Sequence, residues 1–202
     1  MPNQRIQMDG FTKATSACRP APWRKSSGFT LVDLLMVLAV MSVVLTVAVP
    51  AMTATMDSIR LGSISNTFVS HLYLARSEAI KRNGRVVLCK SPTGVSCVAS
   101  GGWEQGWIVF HDANNNATRE PGETVIQQEG SMPASFRLAG NLNVAKYVSY
   151  SATGSAKLVT GAFQAGTLTL CQPSASDGAA RQIVISSTGR PRIQKVKVAV
   201  CP

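Results

Sequence analysis

The first pattern along the chain is a long apolar run that follows a polar N-terminal segment. From Phe29 to Val49 the sequence contains one charged residue, Asp33, and Pro50 comes directly afterwards. A helix of this length, about 21 residues, spans roughly 32 Å, which matches the thickness of a bilayer core. A secretory signal peptide fits less well, because its apolar core is shorter and ends at a cleavage site of small residues. The run therefore predicts a transmembrane helix.

Beyond Pro50 the apolar residues recur at steps of three and four, which is the spacing of one helix face. The residues on this face are Leu61, Ile64, Phe68, Leu72, Ala75 and Ala79. Lys81 and Arg82 suit the C-terminal end of a helix, and Asn83-Gly84 supplies a left-handed stop. The pattern predicts that the helix continues outside the membrane as an amphipathic half.

From Arg85 onward, short β-rich runs alternate with Gly, Asn and Pro. About seven runs occur, namely RVVLCK, GWIVF, TVIQQ, KYVSYS, GTLTLC, RQIVISS and IQKVKVAV. Their turn-like spacing favours antiparallel pairing. We therefore expect an α+β fold in which a long N-terminal helix packs on antiparallel β-sheets.

The composition adds a basic balance to this picture. The chain has 20 Lys and Arg against 10 Asp and Glu, a net charge of +10, which points to a polyanion or an anionic membrane surface as a partner. Before the apolar run there is one acid, Asp9, and the bases there are Arg5, Lys13, Arg19, Arg24 and Lys25. A basic flank stays in the cytoplasm, so the chain after the run is expected on the outer side of the membrane.

Asp33 remains unexplained by a plain anchor, because a carboxylate in hydrocarbon is costly unless it has a partner. Gly28 followed by Phe29-Thr30-Leu31-Val32-Asp33-Leu34-Leu35 resembles the processing site of type IV pilins and type II secretion pseudopilins. The resemblance implies that a prepilin peptidase cleaves after Gly28 and methylates Phe29. It also implies that Asp33, where the family usually has Glu, pairs with the free amine of Phe29 on a neighbouring subunit.

This resemblance divides the chain into three parts. Residues 1–28 form a cleaved basic leader, residues 29–53 the transmembrane half of the helix, and residues 54–202 a periplasmic globular domain. In that domain LCKS, a following Cys, WEQGWIVFHDANNN and PGE resemble the FimT/GspH branch of minor pilins. The expected location is the inner membrane, with a single pass, followed by incorporation into a pilus or pseudopilus with other pilins.

The five cysteines show no CxxC or Cys/His metal spacing, which favours disulfides in an oxidising compartment. Cys18 leaves with the leader, and the four remaining cysteines allow three pairings. We favour Cys89 with Cys97 and Cys171 with Cys201, because each pair closes a unit that is local in sequence.

The loop from Asp112 to Glu123 has oxygen-bearing side chains at the first, third, fifth, ninth and twelfth places, as a calcium loop has. However, Ala117 stands where such a loop needs glycine, Arg119 adds a repelling charge, and the loop follows a strand. Clusters of Asn and Gly are ordinary turn formers. A polar hairpin loop is the preferred interpretation, and no metal is expected.

Aromatic and histidine residues offer few other sites. Trp103 and Trp107 could stack on bases, but aromatic residues that bracket a strand more often pack in a core. His71 lies among apolar residues of the helix, and His111 precedes Asp112. No Ser/His/Asp or metal-binding spacing accompanies them, so we expect neither catalysis nor a cofactor.

The basic C-terminal stretch is the candidate binding site. From Arg181 to the C-terminus the chain has five bases and no acid. Gly189 frees the backbone and Pro191 biases Arg190 towards extended geometry, so Arg190 and Arg192 project to one side about 6.6 Å apart. Strand alternation puts Lys195 and Lys197 on the face opposite Arg192, and a single basic stripe therefore needs a twist or a bulge. The alternative is a solvated edge hairpin whose charges keep it soluble.

The Gly-Arg-x-Arg run resembles the DNA-binding element of FimT-type pilins used in natural transformation, which implies DNA contacts by Gly189, Arg190 and Arg192. Lys195 and Lys197 are further candidates. The hypothesis is a minor type IV pilin that captures DNA. The alternative is a structural minor pilin, or an H-type pseudopilin of type II secretion, that acts through subunit contacts alone.

Overall fold

The structure is a computed structural model that describes residues 28–175 and 178–202. Most of the expected leader, with Cys18, lies outside the described residues. The elements in chain order are α1 Leu31–Arg82, β1 Arg85–Lys90, β2 Trp107–Asp112, β3 Val125–Glu129, β4 Arg137–Gly140, β5 Tyr147–Tyr150, β6 Gly166–Cys171, β7 Ala179–Ile185 and β8 Pro191–Lys197. A short 3-10 helix, Trp103–Gln105, precedes β2. The chain divides into two compact units, Met1–Val47 and Ala48–Pro202.

Helix α1 ends where the sequence predicts. Asn83 takes a left-handed conformation with φ of 49°. The amide of Gly84 donates to the carbonyl of Ala79 at 3.1 Å, and the amide of Asn83 donates to Ile80 at 3.2 Å. This pair of bonds is the Schellman motif, which satisfies carbonyls that the last turn leaves free. Within residues 28–175 and 178–202, no helix is apolar over a stretch long enough to cross a membrane.

In the part of the chain that the structure describes, eight strands form two antiparallel sheets. The first sheet has the order β3-β2-β1-β5 and the second the order β4-β6-β7-β8. All of the predicted runs become strands, and β4 is the strand that the sequence pattern missed. The expected α+β architecture, with a helix on antiparallel sheets, is confirmed.

One core joins α1 to both sheets within residues 48–202. Phe68 of α1 is fully buried and makes edge-on contacts with Trp103 and Trp107, with ring centroids 5.3 Å and 5.0 Å away. The indole nitrogen of Trp103 donates to the carbonyl of Val144 at 3.0 Å. Because both indoles are fully enclosed, the core interpretation of the tryptophans is confirmed and base stacking by them is excluded.

The two disulfides that the sequence favoured are both present. Cys89 bonds to Cys97 across 8 residues, and Cys171 bonds to Cys201 across 30 residues. The first closes a loop after β1, and buried Lys90 donates to two carbonyls of the same region, Ala99 at 2.9 Å and Gly101 at 2.7 Å. The second attaches the C-terminal tail to the end of β6.

Candidate functional site

The Gly-Arg-x-Arg run, residues 189–192, spans the end of the β7–β8 turn, residues 186–190, and the first two residues of β8. The amide of Gly189 donates to the carbonyl of Ser186 at 2.8 Å, and the amide of Ser186 donates to the carbonyl of Arg190 at 3.3 Å. The Ser186 hydroxyl also accepts from the amide of Arg190 and lies 2.9 Å from the hydroxyl of Thr188. Ser186 therefore closes the turn with both its backbone and its side chain.

Gly189 is buried at the base of this turn with φ of 80°. A Cβ atom at this position would lie 2.5 Å from the carbonyl oxygen of Gly154 and 2.9 Å from the ring of Tyr150. Glycine is thus required twice, for its backbone conformation and for its lack of a side chain. The contact seats the β7–β8 turn on a second turn, residues 151–155.

Arg190 and Arg192 leave this fixed backbone as exposed side chains. Neither guanidinium has a hydrogen bond or an ion pair with any of the described residues. Pro191 between them is buried, and its carbonyl accepts a hydrogen bond from the hydroxyl of Tyr73 on α1 at 3.2 Å. These two unpaired cations therefore extend from a backbone that is fixed by the burial of Pro191 and by its hydrogen bond with Tyr73.

Lys195 and Lys197 are also exposed, but they lie elsewhere. Strands β7 and β8 pair in regular antiparallel register from Ile185–Pro191 to Ala179–Lys197, with no bulge. Because side chains alternate along a strand, the two lysines share the face of Ile193, which packs on the core, and Arg192 occupies the other face. The structure supplies no bulge that would join all four cations in one stripe.

The remaining base of this segment, Arg181, is buried and is not part of a basic surface. It is 7% exposed, and its guanidinium donates to the Ser58 hydroxyl of α1 at 3.2 Å. The sequence places Arg181 among the five bases of the C-terminal stretch but does not indicate its burial, because period-two alternation alone cannot tell which face a helix covers.

The start of α1 reveals a local role for Asp33. The carboxylate of Asp33 accepts from the amide of Thr30 at 3.1 Å and from its hydroxyl at 2.7 Å, and the Thr30 hydroxyl accepts from the amide of Asp33 at 3.2 Å. This reciprocal arrangement is a capping box, in which Thr30 is the N-cap and Asp33 the third helical residue. Phe29, the expected mature N-terminus, is 88% exposed.

In the loop that resembles a calcium site, backbone amides of the loop itself donate hydrogen bonds to the carboxylates. Asp112 is buried, and its two oxygens accept from the amides of Asn116 at 3.1 Å and Ala117 at 2.9 Å. Glu123 accepts from the amides of Ala113 at 2.9 Å and Glu120 at 3.1 Å. Among the described residues no group of three or more His, Cys, Asp and Glu is arranged to hold a metal ion. The loop acts as a hydrogen-bonded connection between β2 and β3.

His71 is buried and structural. Its Nδ1 accepts from the indole nitrogen of Trp107 at 2.9 Å, so this nitrogen carries no proton. Burial lowers the pKa of His71 below its usual 6.5, and the charge of Glu129 partly opposes that effect. The side chain completes the aromatic core and has no substrate-facing position.

A long N-terminal helix whose first residues are mostly apolar, together with two antiparallel sheets, defines a pilin-like protein. The chain belongs to the family described as "Type II transport protein GspH", whose family model matches residues 65–189. A second family model, the "Prokaryotic N-terminal methylation motif", matches residues 23–49. Proteins of these families are structural components without enzymatic activity, anchored in a membrane and incorporated into pili or pseudopili.

Individual relatives agree with this class. The chain is 29% identical over 170 residues to the pilin-like protein PilA1 of Thermus thermophilus, which covers 83% of this chain and 97% of the relative. It also resembles two crystal forms of the type IV minor pilin FimU of Pseudomonas aeruginosa, at TM-scores of 0.53 and 0.52 and 17% identity. These matches cover 70% and 72% of this chain and 100% and 98% of the FimU chains. At that identity the likeness to FimU concerns the fold.

Proposed function

We propose that this protein is a minor type IV pilin that binds DNA through the β7–β8 turn during DNA uptake in natural transformation. The observation that carries the proposal is the pair Arg190 and Arg192, exposed and without partners among the described residues, on a turn fixed by buried Gly189. Planar guanidinium groups bind phosphate with paired hydrogen bonds. Because the backbone at the turn is fixed, both guanidinium groups are held in positions from which they can bind phosphates of a DNA chain.

Binding of this kind reads the phosphate backbone and not the base sequence, because two cations on a turn have no adjoining element that enters a groove. If both arginines contact phosphates, log affinity should fall with log salt at a slope of about −1.8 on duplex DNA. Raising salt from about 50 to 200 mM then weakens binding roughly 12-fold. Participation of Lys195 and Lys197 as well would double the slope to about −3.6.

The test is a DNA titration of the purified full-length protein in detergent micelles at several salt concentrations. The charge-neutralising variant Arg190→Gln with Arg192→Gln should lose most of the salt dependence for every sequence. The matched control, Lys195→Gln with Lys197→Gln, removes the same charge from the other face of β8 and should keep the slope. Equal losses in the two variants would show that general charge, and not the turn, attracts DNA.

The second candidate is a structural role as a minor pilin or as an H-type pseudopilin of type II secretion. The match of residues 65–189 to the GspH family model favours this alternative. It predicts no measurable DNA binding by the wild-type protein at low salt. A double arginine variant that is piliated and fully transformable would also support it.

We further propose that the protein is a single-pass inner-membrane protein before assembly. In this proposal prepilin peptidase removes the leader, residues 1–28, and residues 29–53 form the anchor of a periplasmic domain, residues 54–202. The methylation motif over residues 23–49 supports it. Mass spectrometry of membrane or filament fractions should find an N-methylated Phe29 as the first residue, and an intact leader in assembled filaments would contradict the proposal.

A further inference from the structure

A third arginine lies beside the β7–β8 turn, although it is far away in sequence. Arg76 of α1 is half-buried, and its guanidinium has no hydrogen bond or ion pair with any described residue. Its neighbours one helical turn away, Leu72 and Ile80, are apolar. The nearby carboxylate of Glu78 is already bonded to Lys81 and Arg82. A guanidinium without a hydrogen-bonded anion can bind a phosphate group with charge-assisted hydrogen bonds.

The 151–155 turn connects Arg76 to the candidate site. A Cβ atom on Gly154 would lie 3.1 Å from Nε of Arg76, and a Cβ atom on Gly189 would lie 2.5 Å from the carbonyl oxygen of Gly154. Adding the intervening bond lengths places the Arg76 guanidinium within about 11 Å of Gly189. That distance is short enough for both positions to contact phosphates of one DNA duplex.

Tyr73 connects α1 to the first residue of β8. Its hydroxyl donates to the carbonyl of Pro191, the residue between Arg190 and Arg192, at 3.2 Å. Tyr73 precedes Arg76 by three residues, so both side chains lie on one side of α1. Arg76 thus lies on the side of α1 that contacts the start of β8, close to the turn that carries Arg190.

We infer that Arg76 is a further DNA-binding residue, which contacts a phosphate of the duplex that Arg190 and Arg192 bind. This inference rests on the proposed DNA binding at the turn. The ligand is the phosphodiester backbone of DNA, and the unpaired guanidinium of Arg76 is the group that a phosphate oxygen would satisfy. With Arg76, the proposed DNA contact extends from the β7–β8 turn onto the surface of α1.

The experiment measures duplex DNA affinity of the full-length protein in detergent across a salt series. Arg76→Gln should make the slope of log affinity against log salt shallower by about 0.9 and weaken binding several-fold at low salt. The matched control is Arg60→Gln, which removes an exposed arginine about 24 Å further along the same helix. The control should leave slope and affinity unchanged, and Arg76→Lys should retain the slope because it retains the charge.

The outcomes separate the inference from the proposal beneath it. If Arg76→Gln binds as the wild type does while the double arginine variant does not, the inference is wrong and DNA binding at the turn stands. If Arg76→Gln and Arg60→Gln weaken binding equally, Arg76 has no special position and the inference is also wrong. If the wild-type protein binds no DNA, both are wrong, and Arg76 is then available to a carboxylate of another subunit.

A second measurement needs no variant and therefore does not depend on the folding of Arg76→Gln. Phenylglyoxal modifies accessible arginines, and mass spectrometry locates the modified positions. Bound DNA should protect Arg76 together with Arg190 and Arg192, and it should leave Arg60 reactive. Modification of Arg76 at the same rate with and without DNA would overturn the inference.

Discussion

Gly189 shows how one small residue determines the candidate site. The sequence indicates a flexible position before Arg190, but flexibility is the smaller part of its role. In the folded protein Gly189 is buried against the carbonyl of Gly154 and the ring of Tyr150. A pattern in sequence cannot show this contact, because it joins turns that are about 35 residues apart. The binding turn depends on packing that the binding residues themselves do not make.

Gly189→Ala should therefore destabilise the protein and weaken DNA binding, although it removes no charge. The positive φ costs about 1–2 kcal/mol for any residue with a Cβ atom, and the contacts at 2.5 Å and 2.9 Å require the turn to move. Gly161→Ala is the matched control, since Gly161 has φ of 87° and open space around its Cβ position. Urea denaturation should show a larger loss for Gly189→Ala, and equal losses would mean that the packing is unimportant.

His71 gives a pH-dependent stability of predictable sign. Its folded-state pKa is lowered by burial, so protonation favours the unfolded state. The stability that neutral His71 contributes is therefore complete above pH 6.5, the usual pKa of histidine, and is lost as the pH falls below that value. His71→Gln can still accept from Trp107 but does not titrate, so its urea midpoint should fall less between pH 7.5 and 5 than that of the wild type. Parallel pH profiles for the two proteins would contradict this assignment.

Single residues also mark the limits of sequence reasoning about the site. The exposed positions of Arg190 and Arg192 follow from the turn chemistry, and the separation of Lys195 and Lys197 follows from strand alternation. The burial of Arg181 and the approach of Arg76 do not follow, because both depend on where α1 crosses the second sheet. Long-range geometry of this kind leaves no local signal.

At the scale of elements, the strongly periodic segments were predictable. The end of α1 at Arg82 is marked by the Asn83-Gly84 stop, and the β-rich runs are bounded by turn residues. Strand β4, Arg137–Gly140, was not predicted because it is short and has Leu138 as its single large apolar residue. It becomes a strand through pairing with β6, from Arg137–Cys171 to Gly140–Leu168. Tertiary pairing, and not local propensity, creates this edge of the second sheet.

The two disulfides should differ in what they contribute to stability. The chain-entropy model gives at most about 3.7 kcal/mol for the 30-residue separation of Cys171 and Cys201, and about 2.5 kcal/mol for the 8-residue separation of Cys89 and Cys97. Replacing Cys171 and Cys201 by alanine should therefore lower the free energy of unfolding more than replacing Cys89 and Cys97.

Urea denaturation of the two double variants measures this difference directly. Alkylation of the unreduced folded wild type should label none of the four cysteines. The reversed order of stability would show that Cys89–Cys97, together with the Lys90 bonds to Ala99 and Gly101, stabilises more than loop closure explains.

At the scale of the whole molecule, the cations have distinct surroundings. Arg190 lies in the turn at one end of the second sheet and Arg192 at the start of its edge strand β8, whereas Lys195 and Lys197 lie on the other face of that strand. The net charge of +10 alone would suggest a uniformly attractive surface. Because the chain is a filament component, any surface that binds DNA must remain free after assembly, whereas a face that packs against other subunits is covered. Arg190 lies in the turn and Arg192 at the start of the edge strand β8, at one end of the second sheet, which is compatible with that requirement.

Assembly itself tests what Asp33 does. In the isolated chain its carboxylate belongs to the capping box with Thr30, whereas the proposed role in a filament is to pair with the amine of Phe29 on a neighbouring subunit. Thr30→Ala removes the capping hydroxyl, at a cost of about 1 kcal/mol to the helix start, and keeps the carboxylate. Asp33→Ala removes the carboxylate and would leave a neighbour's amine unpaired in an apolar setting.

If the pairing between subunits is the main role, Asp33→Ala should reduce the protein in sheared filaments while Thr30→Ala stays near the wild-type level. Asp33→Glu, which has the longer side chain, should assemble at least as well as the wild type. Immunoblots of sheared and membrane fractions measure both pools, and the membrane pool should be unchanged in all three variants. Equal defects in Thr30→Ala and Asp33→Ala would instead assign the role of the acid to capping, since the cap is the one property that both changes remove.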